Sequence, residues 1–341
     1  MSVQPKITAD LEPEVPPARE PVQPGPSRRT ELTAALADYS LVLLFAAVFV
    51  ALSFTVDHFF SVENMLGLAL SVSQIGMVAC TMMFCLASRD FDLSVGSTVA
   101  FAGVLCAMIL EATDSLFLAI GGAVLAGAVI GFINGAVIAY LRINALITTL
   151  ATMEIVRGLG FIVSHGQAVG VSNEQFIELG IVSLFGIAVP IWVTLGCFIG
   201  FGVLLNNTLY GRNTLAIGGN PEASRLAGIR VERTRVLIFL LQGAVAAFAG
   251  VILASRITSG QPNAAQGFEL SVMSGCVLGG VSLAGGRATI SGVVVGVLIM
   301  GTVENVMNLL NIDAFYQYLV RGAILLIAVL LDQLKNRGRQ A

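Results

Sequence analysis

Charge is what this 341-residue chain has least of. Asp, Glu, Lys and Arg together make up 11% of it, against roughly 25% in soluble proteins. Ten of the charges fall in residues 1–38 and seven in 206–235, leaving long stretches with almost none. That distribution excludes a soluble enzyme, a secreted disulfide scaffold and a disordered protein. A net charge of −3 argues against nucleic acid as a partner. The five cysteines, Cys80, Cys85, Cys106, Cys197 and Cys276, lie in apolar runs without C-x-x-C spacing. Buried, inert thiols are expected there, with neither zinc nor disulfides. The two histidines, His58 and His165, are too few and too far apart for a metal site. No G-x-x-x-x-G-K-S/T phosphate loop occurs; Gly218-Gly219-Asn220 and Gly285-Gly286-Arg287 lack the lysine and hydroxyl that would hold phosphates. If ATP drives this protein, another polypeptide must bind it.

What the chain has is apolar length. Of its ten prolines, seven lie in residues 1–30, and residues 1–36 read as a disordered cytoplasmic tail rather than a signal peptide. Apolar runs then follow at 39–56, 65–87, 93–111, 116–141, 143–164, 187–205, 236–255, 270–284, 288–305 and 316–331. Each is about the 20 residues that a bilayer core of roughly 30 Å asks of a helix. The third, eighth and ninth are short or glycine-rich and are candidates for broken helices. The expected fold is an all-α polytopic membrane protein of about ten spans, with a transmembrane domain over 37–332 and a short tail over 333–341. Placing both ends in the cytoplasm puts fifteen Lys and Arg residues in the inner segments and Arg256 alone outside, a strong positive-inside signal.

A repeat runs through the chain. Leu86-Ala87-Ser88-Arg89 returns as Leu253-Ala254-Ser255-Arg256, Phe91-Asp92-Leu93-Ser94-Val95 as Phe268-Glu269-Leu270-Ser271-Val272, and Val156-Arg157-Gly158 as Val320-Arg321-Gly322. Spans two to five therefore match spans seven to ten. Each span is offset from its match by five, an odd number, so the copies face opposite ways, as in transporters that alternate access to a midplane site. This also accounts for Arg256, the inverted counterpart of Arg89.

Several residues could carry chemistry. Asp92 with Ser94, and their repeats Glu269 with Ser271, suit helix caps or the ends of half-helices that gate a pathway. Asn144, Thr148 and Thr152 recur every four residues and form one stripe, a candidate for lining a pathway for a hydrogen-bonding solute or for bonding between helices. Glu154 and Arg157, three apart, are expected to neutralise each other, whereas Arg321 has Tyr318 where an acid would stand. Glu304, Asn305, Asn308 and Asn311 form a polar cluster at one end of span nine. Ala123, Gly127, Gly131 and Gly135 make a small-residue stripe for close helix packing, and Gly196 with Gly200 and Gly292 with Gly296 are expected to do the same.

Residues 206–235 form the one long charged loop. Asn220 before Pro221 signals a helix start and Gly228 a stop, predicting a helix of about seven residues suited to docking a soluble partner. The segments Cys85–Ser88, Phe91–Val95, Leu141–Met153, Gly211–Asn220, Ala254–Pro262 and Gly301–Ile312 resemble the permeases of ATP-binding-cassette sugar importers of the ribose/xylose/arabinose group. The likeness covers roughly 38–332. It implies a permease homodimer in the bacterial inner membrane, two cytoplasmic ATPase subunits that hold ATP and magnesium, a periplasmic sugar-binding protein, and a pentose, L-arabinose foremost, as cargo. No cofactor and no enzyme activity are implied for this chain. Asn220, Pro221, Glu222, Ala223, Ser224, Arg225, Leu226, Ala227 and Gly228 would form the coupling element. The pathway would pass near spans five and ten, with Asn144, Thr148, Thr152, Tyr318 and Arg321 as lining candidates. The rival expectation is a proton- or sodium-coupled carrier using Glu154 or Glu304.

Overall fold

The computed structural model describes residues 28–337. The chain divides into two units, Met1–Ser40, helical over its described part, and Leu41–Ala341. In order, the elements are α1 (Arg28–Thr55), α2 (Val62–Ala87), α3 (Val95–Thr113), α4 (Leu116–Tyr140), α5 (Ala145–Val163), β1 (Val169–Gly170), α6 (Glu174–Ile181), β2 (Ser183–Leu184) and β3 (Ile187–Ala188). They continue with α7 (Val189–Asn207), α8 (Leu209–Gly219), α9 (Pro221–Leu226), α10 (Val231–Arg256), β4 (Ser259–Gly260), α11 (Phe268–Leu278), α12 (Ile290–Leu309) and α13 (Ala314–Arg337). Two-residue antiparallel pairings join β1 to β4 and β2 to β3. The helix α1 starts at Arg28, inside the segment expected to be disordered, and the remainder of that segment lies outside the described residues. Likewise α13 runs into the expected tail as far as Arg337.

Eight of these helices, each of 19 to 26 residues, are long and apolar enough to cross a membrane. In lipid a chain must satisfy its backbone polar groups internally, and helix starts here are closed by side chains. Ser61, Ser115, Asn144, Asn173, Thr208, Asn220 and Thr289 each accept a backbone N–H of the first turn. The third and ninth expected spans are whole helices, α3 and α12. The eighth is not. Its helix, α11, has 11 residues, about 17 Å at 1.5 Å per residue, and cannot span the core alone. Gly279 and Gly280 end it, and residues 279–289 follow as a loop whose Gly286 N–H reaches Ala87 O at the end of α2.

The core is centred on α2, whose residues from Ile75 to Ala87 are all buried. Around it pack α7, α8, α10, α11 and α12. The inverted repeat is visible in the packing: α10 lies on α3 and α4, and its counterpart α2 lies on α11 and α12. The opposite faces of α4, α5 and α13 expose Leu125, Phe132, Ile155, Ile162, Leu319 and Leu326.

Candidate functional site

Two arrangements of polar residues stand out from the apolar helices. The first is a platform at the end where α2 and α7 stop and α10 and α12 start. Asn220 ends α8 and caps α9, its Oδ1 accepting from the N–H groups of Glu222 and Ala223 at 3.0 Å each. Gly228, at φ +82°, closes the other end; its N–H donates to Arg225 O and the next N–H, of Ile229, to Ser224 O. The expected coupling segment is therefore a six-residue helix, capped on both sides. Arg225 ties it down, pairing with Glu222 at 2.6 Å and Glu232 at 2.7 Å. Ser224 is buried, while Leu226 is 92% exposed.

The platform is anchored by a residue whose role the sequence left open. Arg89, at φ +66°, donates through Nε to Ala284 O at 2.5 Å and through Nη2 to Gly219 O at 3.0 Å. One guanidinium thus joins the end of α2, the end of α8 and the loop after α11, and Gly286 N–H adds a bond to Ala87 O. Beside it, in the loop between α2 and α3, Asp90 pairs with Arg235 at 3.1 Å and accepts from Ser88 Oγ. Burial pushes the Asp90 carboxyl up to about 6, against the opposing pull of Arg235 and Ser88.

That pair yields a pH-dependent expectation. Arg235→Leu leaves a buried carboxylate without its cation, a loss on the order of 3 kcal/mol. A carboxyl whose folded value lies above its ordinary one binds more protons folded than unfolded, so stability falls as pH rises through that window. The variant's thermal midpoint in detergent is expected to drop at pH 8 and to recover in part at pH 5. An equal drop at both values would remove Asp90 from the explanation.

The second arrangement is a cavity of about 650 Å³ at the opposite end, walled by α2, α10, α11, α12, α13 and the segment after β4. Ser71, Gln74, Arg256, Asn263, Gln266, Ser271, Glu304, Gln317, Tyr318 and Arg321 give it a polar lining. Glu304 forms an ion pair with Arg321 at 2.9 Å and accepts from Ser271 Oγ at 3.1 Å. The Arg321 guanidinium lies 5.8 Å from the centre of the Tyr318 ring. The acid that Tyr318 replaces one turn before Arg321 is thus supplied by α12. Of the same polar cluster, Asn305 exchanges bonds with Asn64 of α2, and Asn308 accepts from Gln317.

The structure sorts the sequence candidates. Tyr318, Arg321 and Ser271 line the cavity; Asn144, Thr148 and Thr152 do not. Asn144 caps α5, Thr148 bonds to Asn144 O, and Thr152 donates to Asn134 of α4 at 2.6 Å. Asn134, fully buried, was not singled out, although a lone amide in a 25-residue apolar helix needs an interhelical partner. Asp92 does not cap α3 directly: it accepts from Ser94 N–H and Oγ at 2.9 and 2.6 Å and so shapes the turn before that helix. Glu269 stands in the first turn of α11, against Gly96 at the start of α3, so the matched ends of the two repeats meet. Arg157 lies beyond ion-pair distance of Glu154, near enough to sense its charge but not to touch it; it donates instead to Pro262 O and Ala264 O at 2.8 and 2.7 Å, while Glu154 is exposed.

Two inverted halves of helices, one interrupted at half length, around a polar cavity open to one end define a membrane transport permease. Comparison with known proteins agrees. A family model described as "Branched-chain amino acid transport system / permease component" matches residues 64–329. The chain belongs to that family, and it is a transport subunit rather than an enzyme. It is 57% identical over 302 residues to the L-arabinose transport system permease protein of Escherichia coli (strain K12), covering 89% of this chain and 92% of that one. With the L-arabinose ABC transporter permease protein of Azospirillum brasilense it shares 54% over 301 residues, 88% of this chain and 89% of the relative. The ribose import permease protein of Bacillus subtilis (strain 168) is 41% identical over 276 residues, 80% and 85% of the two chains. No solved structure matches the chain.

Proposed function

We propose that this chain is the membrane-spanning subunit of an ATP-driven importer that moves a pentose, L-arabinose, across the bacterial inner membrane. The observation that carries the cargo is the step in identity between relatives named for L-arabinose, at 57% and 54%, and one named for ribose, at 41%. The arginine-rich end, with both termini, faces the cytoplasm, which is supported by fifteen basic residues on that side against Arg256 on the other. There α9 docks a separate ATPase subunit, which supplies ATP and magnesium. A rigid, doubly capped helix with Leu226 outward is suited to sit in a groove of such a partner. A periplasmic sugar-binding protein delivers cargo to the cavity end. A second copy of the permease, with lipid around both, completes the pathway.

The test is uptake of labelled L-arabinose, D-ribose and D-xylose into cells lacking this chain and its partners, with all components restored. L-arabinose uptake is expected to require the chain and to survive a protonophore while ATP is supplied. Uptake of ribose alone would overturn the cargo, and abolition by the protonophore would overturn the energy source.

A further inference from the structure

We infer that the permease carries its own pentose site in the cavity beside α12 and α13, so that sugar is recognised within the membrane subunit as well as before it. The proposal rests on the reading of a pentose as cargo. Its first support is an asymmetry between the two repeats. In the first, the matched Ser94 is joined through Asn134 of α4 to Thr152 of α5, at 3.0 and 2.6 Å, a neutral chain of bonds with Asn134 fully buried. In the second, Ser271 is joined through Glu304 of α12 to Arg321 of α13, whereas Arg157, the first-repeat match of Arg321, is held by the carbonyls of Pro262 and Ala264 and not by an acid. A neutral chain therefore suffices to hold this trio of helices together. Charged groups at membrane depth are costly and mark substrate pathways, and the charged version is the one that faces a cavity.

The second support is chemical. A pentopyranose is uncharged, ringed with hydroxyls that each donate and accept, and bears a methylene edge without hydroxyl. Glu304 accepts only, Arg321 donates only, and Gln74 offers both; the Gln74 Nε2 is buried with no hydrogen-bond partner among the described residues. Gln74 lines the cavity, and a rotation of its side-chain amide would bring that unpaired donor to a bound hydroxyl. Tyr318, 54% exposed, and Phe268 supply aromatic faces for the C–H side of the ring. The cavity's roughly 650 Å³ lies within the range of small-ligand sites, about 300–1,000 Å³. A site in a transporter must also release its cargo, so weak, millimolar binding is the expected affinity.

The experiment measures equilibrium binding of labelled L-arabinose to the full-length permease in lipid nanodiscs, and uptake by the complete reconstituted importer. Wild type is expected to bind saturably. Tyr318→Ala and Gln74→Leu, which leave the Glu304–Arg321 pair in place, are expected to weaken binding at least tenfold and to raise the KM of uptake by a similar factor, with the thermal midpoint within a few degrees of wild type. Glu304→Gln, which also breaks the pair, is expected to lose binding and stability together. Absence of saturable binding by wild type, or unchanged affinity and KM in both Tyr318→Ala and Gln74→Leu, would overturn the site while leaving the importer reading intact. That reading fails by a different result, a wild-type importer that does not move L-arabinose.

Discussion

Gly228→Val is expected to reduce sugar uptake at least tenfold while the protein remains in the membrane at its normal level. The reason is conformational. A Cβ built on Gly228 meets nothing within 4 Å, so there is room for a side chain. The backbone, however, stands at φ +82°, where a β-branched residue is a severe outlier and any L-residue with a Cβ costs roughly 1–2 kcal/mol. At that angle Gly228 and Ile229 turn their N–H groups back onto Arg225 O and Ser224 O, the bonds that end α9. A helix of six residues has few other bonds of its own, so the strain unwinds it. Everything proposed for this element depends on its being a rigid lever. Gly228→Asn separates conformation from bulk, because asparagine tolerates the left-handed region; it is expected to keep most of the uptake. The measurements are labelled-pentose uptake, membrane content, and crosslinking of a cysteine placed at Leu226 to the ATPase. A valine variant that imports at the wild-type rate would remove α9 from the coupling mechanism.

The ends of that helix were legible in the sequence because Asn-Pro and a lone glycine act locally, through capping and through φ. So were most of the spans and the repeat, which follow from run length and from matched segments, though the run at 270–284 holds a helix too short to span. What was not legible depends on contacts between segments far apart in the chain. Glu304 is 17 residues before Arg321, on another helix, and nothing in the spacing joins them. The expected Glu154–Arg157 pair had ideal helical spacing, yet Arg157 found backbone carbonyls 105 and 107 residues away. Spacing places Asn144, Thr148 and Thr152 four apart, but what each one touches is decided by the fold: Asn144 caps α5, and Thr152 reaches Asn134 of α4. The same limit divides the glycine stripes. Gly292 and Gly296 press against Gly279 and Gly275 of α11, as expected, whereas Gly196 and Gly200 on α7 have nothing within 4 Å of a built Cβ. Small residues four apart permit close packing; they do not supply the partner.

Where the partner is present, the effect of filling the stripe is the second large one. Gly131→Leu is expected to prevent the folded permease from accumulating. The whole stripe Ala123, Gly127, Gly131 and Gly135 is buried, and α4 lies along α10 more extensively than any other pair of helices touches. A Cβ on Gly131 would overlap the carbonyl of Phe239, one on Gly127 the carbonyl of Gly243, and in return one on Gly243 the carbonyl of Gly127. These are backbone atoms, which cannot turn aside as a side chain can. The helices would have to separate along much of their shared length. In a membrane this is severe, because lipid tails replace apolar contacts nearly as well as another helix does, and close packing is what holds α4 to α10. Overpacking a core by a few methylenes costs about 1–3 kcal/mol; a leucine between two backbones belongs above that range. Separation would also break the chain Ser94–Asn134–Thr152, since Asn134 lies one residue from Gly135 on the same helix. Gly121→Leu is the control: it adds the same side chain to the same helix, where a Cβ has nothing within 4 Å, and it is expected to leave yield and thermal midpoint unchanged. The comparison is made by fluorescence-detected size exclusion in detergent. A monodisperse Gly131→Leu protein at wild-type yield would show that α4 and α10 are held by something other than this contact.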